Sequence, residues 1–250
     1  VQAQVAELEK LNRLKDEFLS TVSHELRTPV SNMKMAIQML AVTLNRQQPF
    51  FDELAKPQEE QSRLARYFQI LQNECEREIT LINDVLDLQR LESSIQPLVL
   101  TAIDLSDWLP QITVSFQERV QKHQQTLQLN LAAELPTFIC DQASLERIIT
   151  ELLNNACKYT PPNEKITVTA DAKSGLIQLS VSNSGVEIPA SELSRIFEKF
   201  YRIPSVDPWK QGGTGLGLAL VQKLLNRLGG MIQVRSQDNL TCFTVTLPIK

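Results

Sequence analysis

Leu26-Arg-Thr-Pro-Val-Ser-Asn-Met-Lys-Met-Ala-Ile-Gln-Met-Leu-Ala-Val-Thr-Leu44 sets its apolar residues on a repeat of four and three. Leu26, Val30, Met33, Ile37, Leu40 and Leu44 follow that beat, which is the seam of a coiled coil or a helical bundle. Upstream, Val1, Val5 and Leu8 keep the same spacing, with Glu7, Glu9, Lys10, Arg13 and Lys15 on the other faces. Downstream, Asn45–Ser62 is polar and carries the breakers Pro49 and Pro57. A second seam then runs through Leu64, Phe68, Leu71, Cys75, Ile79, Ile82 and Leu86, ending near Ser93-Ser94. Two antiparallel helices cannot bury both seams alone, so the spacing predicts pairing of two chains into a four-helix bundle.

From Pro97 onward the texture changes. Strand-like runs stand at Leu98–Ile103, Thr126–Leu131, Lys165–Ala170, Leu176–Val181, Ile232–Val234 and Cys242–Leu247. Helical runs lie between them at Leu105–His123, Asp141–Lys158 and Leu216–Arg227. Helices grouped on a largely antiparallel sheet predict an α/β sandwich, so the whole chain is α+β. At 250 residues it is long enough for two cores. Apolar residues at 42%, charged residues at 22% and a net charge of −4 exclude a polybasic nucleic-acid or membrane-surface binder. No apolar run has the length of a membrane span. Cys75, Cys140, Cys157 and Cys242 are scattered, with no metal-binding spacing, and read as buried thiols of a reducing compartment.

Phe18-Leu-Ser-Thr-Val-Ser-His-Glu-Leu-Arg-Thr-Pro29 carries the first chemistry. Extending the heptad back from Leu26 turns His24 and Glu25 away from the seam, toward solvent. An imidazole accepts a phosphoryl group when one nitrogen is bare and a base holds the proton of the other. Glu25 is the adjacent candidate for that base. Thr28 lies one turn along the same face. Pro29 removes a helical donor and is expected to loosen the helix there. His123, the other histidine, lies in the polar stretch Gln121–Gln125 and reads as a solvated helix end.

The second constellation is Leu145-Glu-Arg-Ile-Ile-Thr-Glu-Leu-Leu-Asn-Asn-Ala-Cys-Lys-Tyr-Thr-Pro-Pro162. Glu151, Asn155 and Lys158 share one helical face. An amide and a carboxylate oxygen one turn apart suit Mg²⁺, which keeps waters and phosphate oxygens as its other ligands. Lys158 can neutralise phosphate charge. Val181-Ser-Asn-Ser-Gly-Val-Glu-Ile-Pro189 follows a strand, and Arg195-Ile-Phe-Glu-Lys-Phe-Tyr-Arg202 comes next. After the proline-containing segment 203–211, Gly212-Gly-Thr-Gly-Leu-Gly-Leu218 opens a helix. Glycines there let backbone N–H groups approach phosphates at the positive end of the helix dipole. No Lys-Ser/Thr follows, so this is not a Walker A loop.

Taken together and in this order, these motifs resemble those of the sensor histidine kinases, over nearly the whole chain. The SHELRTP string resembles their H-box, and the later segments their N, G1, F and G2 boxes. The resemblance implies His24 as phosphoacceptor, Glu25 as general base and Thr28 as a residue used in dephosphorylating the partner. It implies ATP and Mg²⁺ as cofactors, with Asn155 on the metal, and Glu151 where many relatives have Asn. Lys158, Tyr159, Asn183, Gly185, Gly213, Thr214, Gly215, Leu216 and Gly217 match nucleotide-contacting positions, and Arg202 a basic position near the phosphates. Phe197 and Phe200 are expected to pack beneath a lid over residues 203–211. The G1 box departs from the family pattern: Asn183 stands for an Asp that accepts from the adenine amino group, and Glu187 for a glycine. That departure predicts weakened ATP binding.

The expected organisation is a lead-in helix over 1–17 from an absent sensor, a dimerisation and phosphotransfer domain over 18–95, and a catalytic ATP-binding domain over 96–250. The expected activity is autophosphorylation of His24 and transfer to an aspartate in the receiver domain of a response regulator. It would be performed by a cytoplasmic homodimer without nucleic-acid or direct membrane contact. Two alternatives stand beside it. A degenerate kinase would serve as a dimeric scaffold or regulator phosphatase because of the altered G1 box. Another ATPase of the same fold (a chaperone, DNA-repair or topoisomerase subunit) would lack the His24 helix.

Overall fold

Arg27 donates through Nη2 to Asn83 Oδ1 at 2.6 Å, and Lys34 pairs with Glu76 at 3.4 Å. Seven residues forward on one helix match seven backward on the other, the signature of an antiparallel hairpin. The computed structural model describes residues 26–46, 49–56, 60–92, 97–204 and 213–249. The chain divides into two units, 1–94 and 95–250.

In the first unit the hairpin joins α1, helical over residues 26–46, to α3, Arg63–Glu92. The described helix runs through Pro29 without a break. Ile37, Ala41, Ala65 and Phe68 form the buried centre, with Leu44, Leu54 and Cys75 against it. The segment read as a polar loop contains a short helix, α2, Phe50–Ala55. Phe50, only 2% exposed, drives it by meeting the Phe68 ring edge-on at 5.3 Å. Buried Gln61 then closes the turn, donating to the carbonyls of Leu54 and Lys56 at 3.0 and 2.9 Å.

Only part of each expected seam is buried. The face of α1 packed inward is Ile37 and Ala41, with Val30, Lys34 and Leu44 half-buried, while Leu26, Met33 and Leu40 are exposed. On α3, Leu64 and Leu71 are likewise exposed, and Ala65 takes the inward place.

The second unit begins with β1 (Leu100–Ile103), α4 (Leu105–Val114) and α5 (Gln117–Lys122). The single helix expected over 105–123 is thus two. Pro110 lies inside α4, and Ser115 closes it by donating Oγ to the Ile112 carbonyl at 2.7 Å. His123 caps α5 in an exposed position, with burial and the nearby Arg119 and Lys122 lowering its pKa. There follow β2 (Thr126–Leu131), β3 (Phe138–Asp141), α6 (Gln142–Tyr159), β4 (Lys165–Lys173) and β5 (Leu176–Ser184). The chain closes with α7 (Gly217–Leu228), β6 (Met231–Gln237) and β7 (Leu240–Pro248).

Five strands form one sheet in the order β2-β4-β5-β7-β6, parallel at β2-β4 and antiparallel elsewhere. Leu129, Val168, Val181, Phe243 and Val234 lie in register across it. Two-residue turns with positive φ at both positions, Ser174-Gly175 and Asp238-Asn239, join its hairpins. Their backbone twist matches that of the strands. Period-two burial turns Ile166, Val168, Ile177, Leu179, Val245 and Leu247 to one face. α6 and α7 cover it with Leu145, Ile148, Ile149, Leu152, Leu220 and Leu224. β3, which the sequence reading missed, pairs antiparallel with β1 in a separate ribbon.

Asp141 ties that ribbon to α6. Its carboxylate caps the helix by accepting from Ser144 N–H at 2.8 Å and holds the chain ahead of β1 through Val99 N–H at 2.8 Å. Burial alone would raise its pKa, but the bonds from Ser144 and Val99 and the charge of Arg227 hold it below the usual carboxylate range. Asp141→Ala should destabilise the unit by about 2 kcal/mol in denaturant melts at pH 7. A depressed folded pKa contributes stability above the unfolded value of about 3.9 and loses it as pH falls through the folded one. The difference between native protein and variant should therefore shrink below about pH 4.

Candidate functional site

α6 turns its apolar residues to the sheet and leaves Glu151, Asn154, Asn155 and Lys158 half-buried. Of the two asparagines, Asn154 accepts from Arg119 Nη1 of α5 at 2.8 Å. The Asn155 amide is uncommitted among the described residues. Glu151 pairs through Oε1 with Arg147 at 3.1 Å, one turn back. Its other oxygen lies 2.5 Å from where a Cβ on Gly217 would stand. Lys158 Nζ donates to Tyr159 Oη at 2.9 Å and lies 2.7 Å from the corresponding point on Gly213. Glu151 and Lys158 thus bring the middle and the end of α6 against the glycine run that opens α7. Their opposite charges face two ends of one short backbone segment.

The glycine run needs its composition most at Gly215. Its φ is +72°, and a Cβ would meet the Phe200 backbone at 2.8 Å. Phe200 N–H donates to the Gly215 carbonyl at 2.9 Å, so the segment around Phe200 is pinned directly to the turn. Thr214 Oγ1 accepts from Leu216 N–H at 3.2 Å. No side chain caps the N-terminus of α7 and no acidic residue stands in its first turn. That end therefore presents the positive pole of a 12-residue helix beside the Lys158 ammonium.

Asn183 closes the inward face of β5, two residues beyond Val181, and is 4% exposed. Its Nδ2 is buried without a hydrogen-bond partner. A donor left so in a folded chain marks a place for something else to bond. Its neighbours are already paired. Thr241, in register with Asn183, donates to the Val186 carbonyl at 3.0 Å and bonds Ser236 Oγ at 2.8 Å. Ser236 Oγ also accepts from Ile188 N–H at 2.7 Å, and Gly185 N–H donates to the Asn239 carbonyl at 2.9 Å. Glu187, expected where a bare backbone would approach a nucleotide, is exposed, and its carboxylate accepts from Asn239 N–H at 3.3 Å. It is committed to the β6–β7 turn.

The segment 190–201 carries a cluster that sequence reasoning did not find. Tyr201 donates its hydroxyl to Glu192, and Arg195 lies over the Tyr201 ring at 4.1 Å. The carboxylate partner pushes the phenol pKa up. No spacing rule links positions nine apart on an irregular segment, so nothing in the sequence marks this contact. Arg202 and Phe197 are half-buried and Thr28 is exposed. Phe200 is 62% exposed with φ +64°, and it is its backbone that meets the glycine turn. His24, Glu25 and residues 205–211 of the expected lid lie outside the described residues.

Residues 14–94 match the His Kinase A (phospho-acceptor) domain, and residues 140–250 match the Histidine kinase-, DNA gyrase B-, and HSP90-like ATPase family. The alginate biosynthesis sensor protein KinB of Pseudomonas aeruginosa is 35% identical over 250 residues, covering 100% of this chain and 39% of the relative. The chain belongs to the sensor histidine kinases. Sensor histidine kinase WalK of Bacillus subtilis is 30% identical over 249 residues, covering 98% of this chain and 38% of its own. The chain thus spans about two fifths of the length of these curated relatives. Full-length ShkA, solved with AMPPNP, superposes with a TM-score of 0.71 at 25% identity, over 93% of this chain and 46% of its own. ThkA, solved with the response regulator TrrA, shares the fold at a TM-score of 0.63 and 21% identity, over 100% of this chain and 67% of its own.

The residues of this histidine kinase fit a nucleoside triphosphate. The orphaned amide of Asn183 offers hydrogen bonding to a base, and the Gly213–Gly217 backbone with Lys158 offers a cradle for phosphates. Among the described residues no group of three or more His, Cys, Asp and Glu gathers for a metal. A magnesium ion that travels with the phosphates needs only one or two protein oxygens, which Asn155 and Glu151 can supply. No described helix is long and apolar enough to cross a membrane.

Proposed function

We propose that this chain is the autophosphorylating core of a sensor histidine kinase, transferring the γ-phosphoryl group of ATP to His24 and then to an aspartate of a response regulator. The observation that supports this most directly is the meeting of Glu151 and Lys158 with the glycine run, in one chain with the SHELRTP string. Gly213–Gly217 and Lys158 hold the phosphates, and Asn183 meets the base. Mg²⁺, when bound through the amide oxygen of Asn155, neutralises phosphate charge and fixes the triphosphate; Glu151 stands nearby as a second oxygen donor. Tyr159, Gly185, Thr214 and Leu216 complete the nucleotide contacts.

The bare imidazole nitrogen of His24 forms the new N–P bond as the bond from phosphorus to the ADP oxygen breaks. Glu25 takes the proton from the other ring nitrogen. Lys158 and Arg202 stabilise the charge that spreads over the phosphoryl oxygens. Thr28, four residues beyond His24 in sequence, serves the reverse duty of releasing phosphate from the regulator. The bundle is completed by a second copy, since Leu26, Met33, Leu40, Leu64 and Leu71 remain exposed in one chain. The reaction belongs in the cytoplasm, where ATP and a soluble regulator are available.

Incubation with γ-labelled ATP and Mg²⁺ tests the proposal. A label that is stable to alkali and lost in acid is expected. Protein that binds ATP yet takes up no such label would overturn the kinase reading and leave the scaffold alternative. The paired Glu187 carboxylate weighs against that alternative, because it removes one of the two motives for it.

A further inference from the structure

We propose that Asn183 makes the base site tolerant of 6-oxo purines, so that inosine and guanosine triphosphates bind alongside ATP. The inference rests on the nucleotide reading above and extends it to the class of base. Asn183 is 4% exposed, and its Nδ2 is buried without a partner. Around it, Thr241, Ser236 and the Gly185 N–H are all bonded to protein. Ser184 is engaged with Glu164 and with the Lys165 N–H at 2.9 Å. The amide is therefore the buried side-chain donor left over at this corner of the site, among the described residues.

A primary amide carries a donor and an acceptor side by side in one plane. Adenine presents a 6-amino donor beside the N1 acceptor; hypoxanthine and guanine present a 6-oxo acceptor beside the N1–H donor. A half-turn of the Asn183 amide exchanges its two ends, so one side chain can complement either edge. A carboxylate at the same place can only accept. Aimed at the 6-substituent, it would accept from the amino group but meet the 6-oxo oxygen with a second acceptor, and reaching N1–H instead would require the base to shift along its edge. Asparagine thus gives up some strength toward adenine and removes the penalty against its 6-oxo counterparts.

Isothermal titration calorimetry of the full chain with Mg-ATP and Mg-ITP decides this, since ITP differs from ATP at the 6-position edge alone. The dissociation constants should lie within about tenfold of each other in the native protein. Asn183→Asp should widen that ratio by about tenfold or more, tightening ATP and weakening ITP. A native preference for ATP beyond about tenfold, or a ratio unmoved by Asn183→Asp, would overturn the inference. Should the variant fail to fold, as shown by circular dichroism, the native ratio decides alone. If neither triphosphate binds at millimolar concentration, the nucleotide reading itself has failed; binding of ATP with rejection of ITP removes only the present inference. Mg-GTP then asks whether the 2-amino group is accepted as well.

Discussion

His24→Gln is expected to lower acid-labile labelling from γ-labelled ATP by at least about a thousandfold while leaving the calorimetric affinity for Mg-ATP unchanged. Removal of a nucleophile takes away the bond-forming atom, so the loss is of the order seen when any covalent catalyst is deleted. Glutamine keeps the size and polarity of the site but has no basic nitrogen to attack phosphorus. The separation of effects follows from the division of the chain: His24 belongs to the unit ending at residue 94, and the proposed nucleotide cradle to the unit beginning at 95. Labelling that persists in the variant would assign the acceptor to another residue. A parallel loss of ATP affinity would instead report damage to the second unit.

The sequence made the second unit's sheet legible because its strands alternate cleanly. β2 stands at the expected Thr126–Leu131, and β5 extends the expected run through Asn183 to Ser184. Missed elements share a physical cause, the scale of the signal. Phe138–Asp141 is too short to show a period, and it becomes a strand because Leu100–Ile103 pairs with it. α2 lay hidden between Pro49 and Pro57, where one buried phenylalanine outweighs the breakers.

At the site, the glycine run and the polar face of α6 were legible as motifs, and their meeting was not. Their contact depends on α6 and α7 sharing one face of the sheet, a fact of tertiary packing. Glu187 illustrates the limit in the other direction. Its position in the motif suggested intrusion, and only the β6–β7 turn explains where its carboxylate goes.

The heptads of the first unit were also read correctly in kind and incompletely in assignment, and the remainder carries a prediction. A four-and-three repeat contains two sets of positions. In this hairpin, Ile37 and Ala41 face α3, whereas Leu26, Met33 and Leu40, each seven apart, are 50%, 51% and 56% exposed. Leu64 and Leu71, again seven apart on α3, are exposed as well. From the pairing of Arg27 with Asn83 and Lys34 with Glu76, Leu40 stands level with Ile70, itself exposed and next to Leu71. The two helices therefore present one continuous apolar strip, suited to a second copy of the same strip. Met33→Glu with Leu40→Glu should convert the proposed dimer to a folded monomer. Four apolar side chains lost per dimer, at about 1.5 kcal/mol each, weaken association by about 6 kcal/mol, roughly ten-thousandfold. The repulsion of introduced carboxylates adds to this. Sedimentation velocity at micromolar protein should show the monomer, with helical content by circular dichroism largely retained because Ile37, Ala41, Phe50 and Phe68 are untouched. A variant that still sediments as a dimer would place the interface on another face of the hairpin.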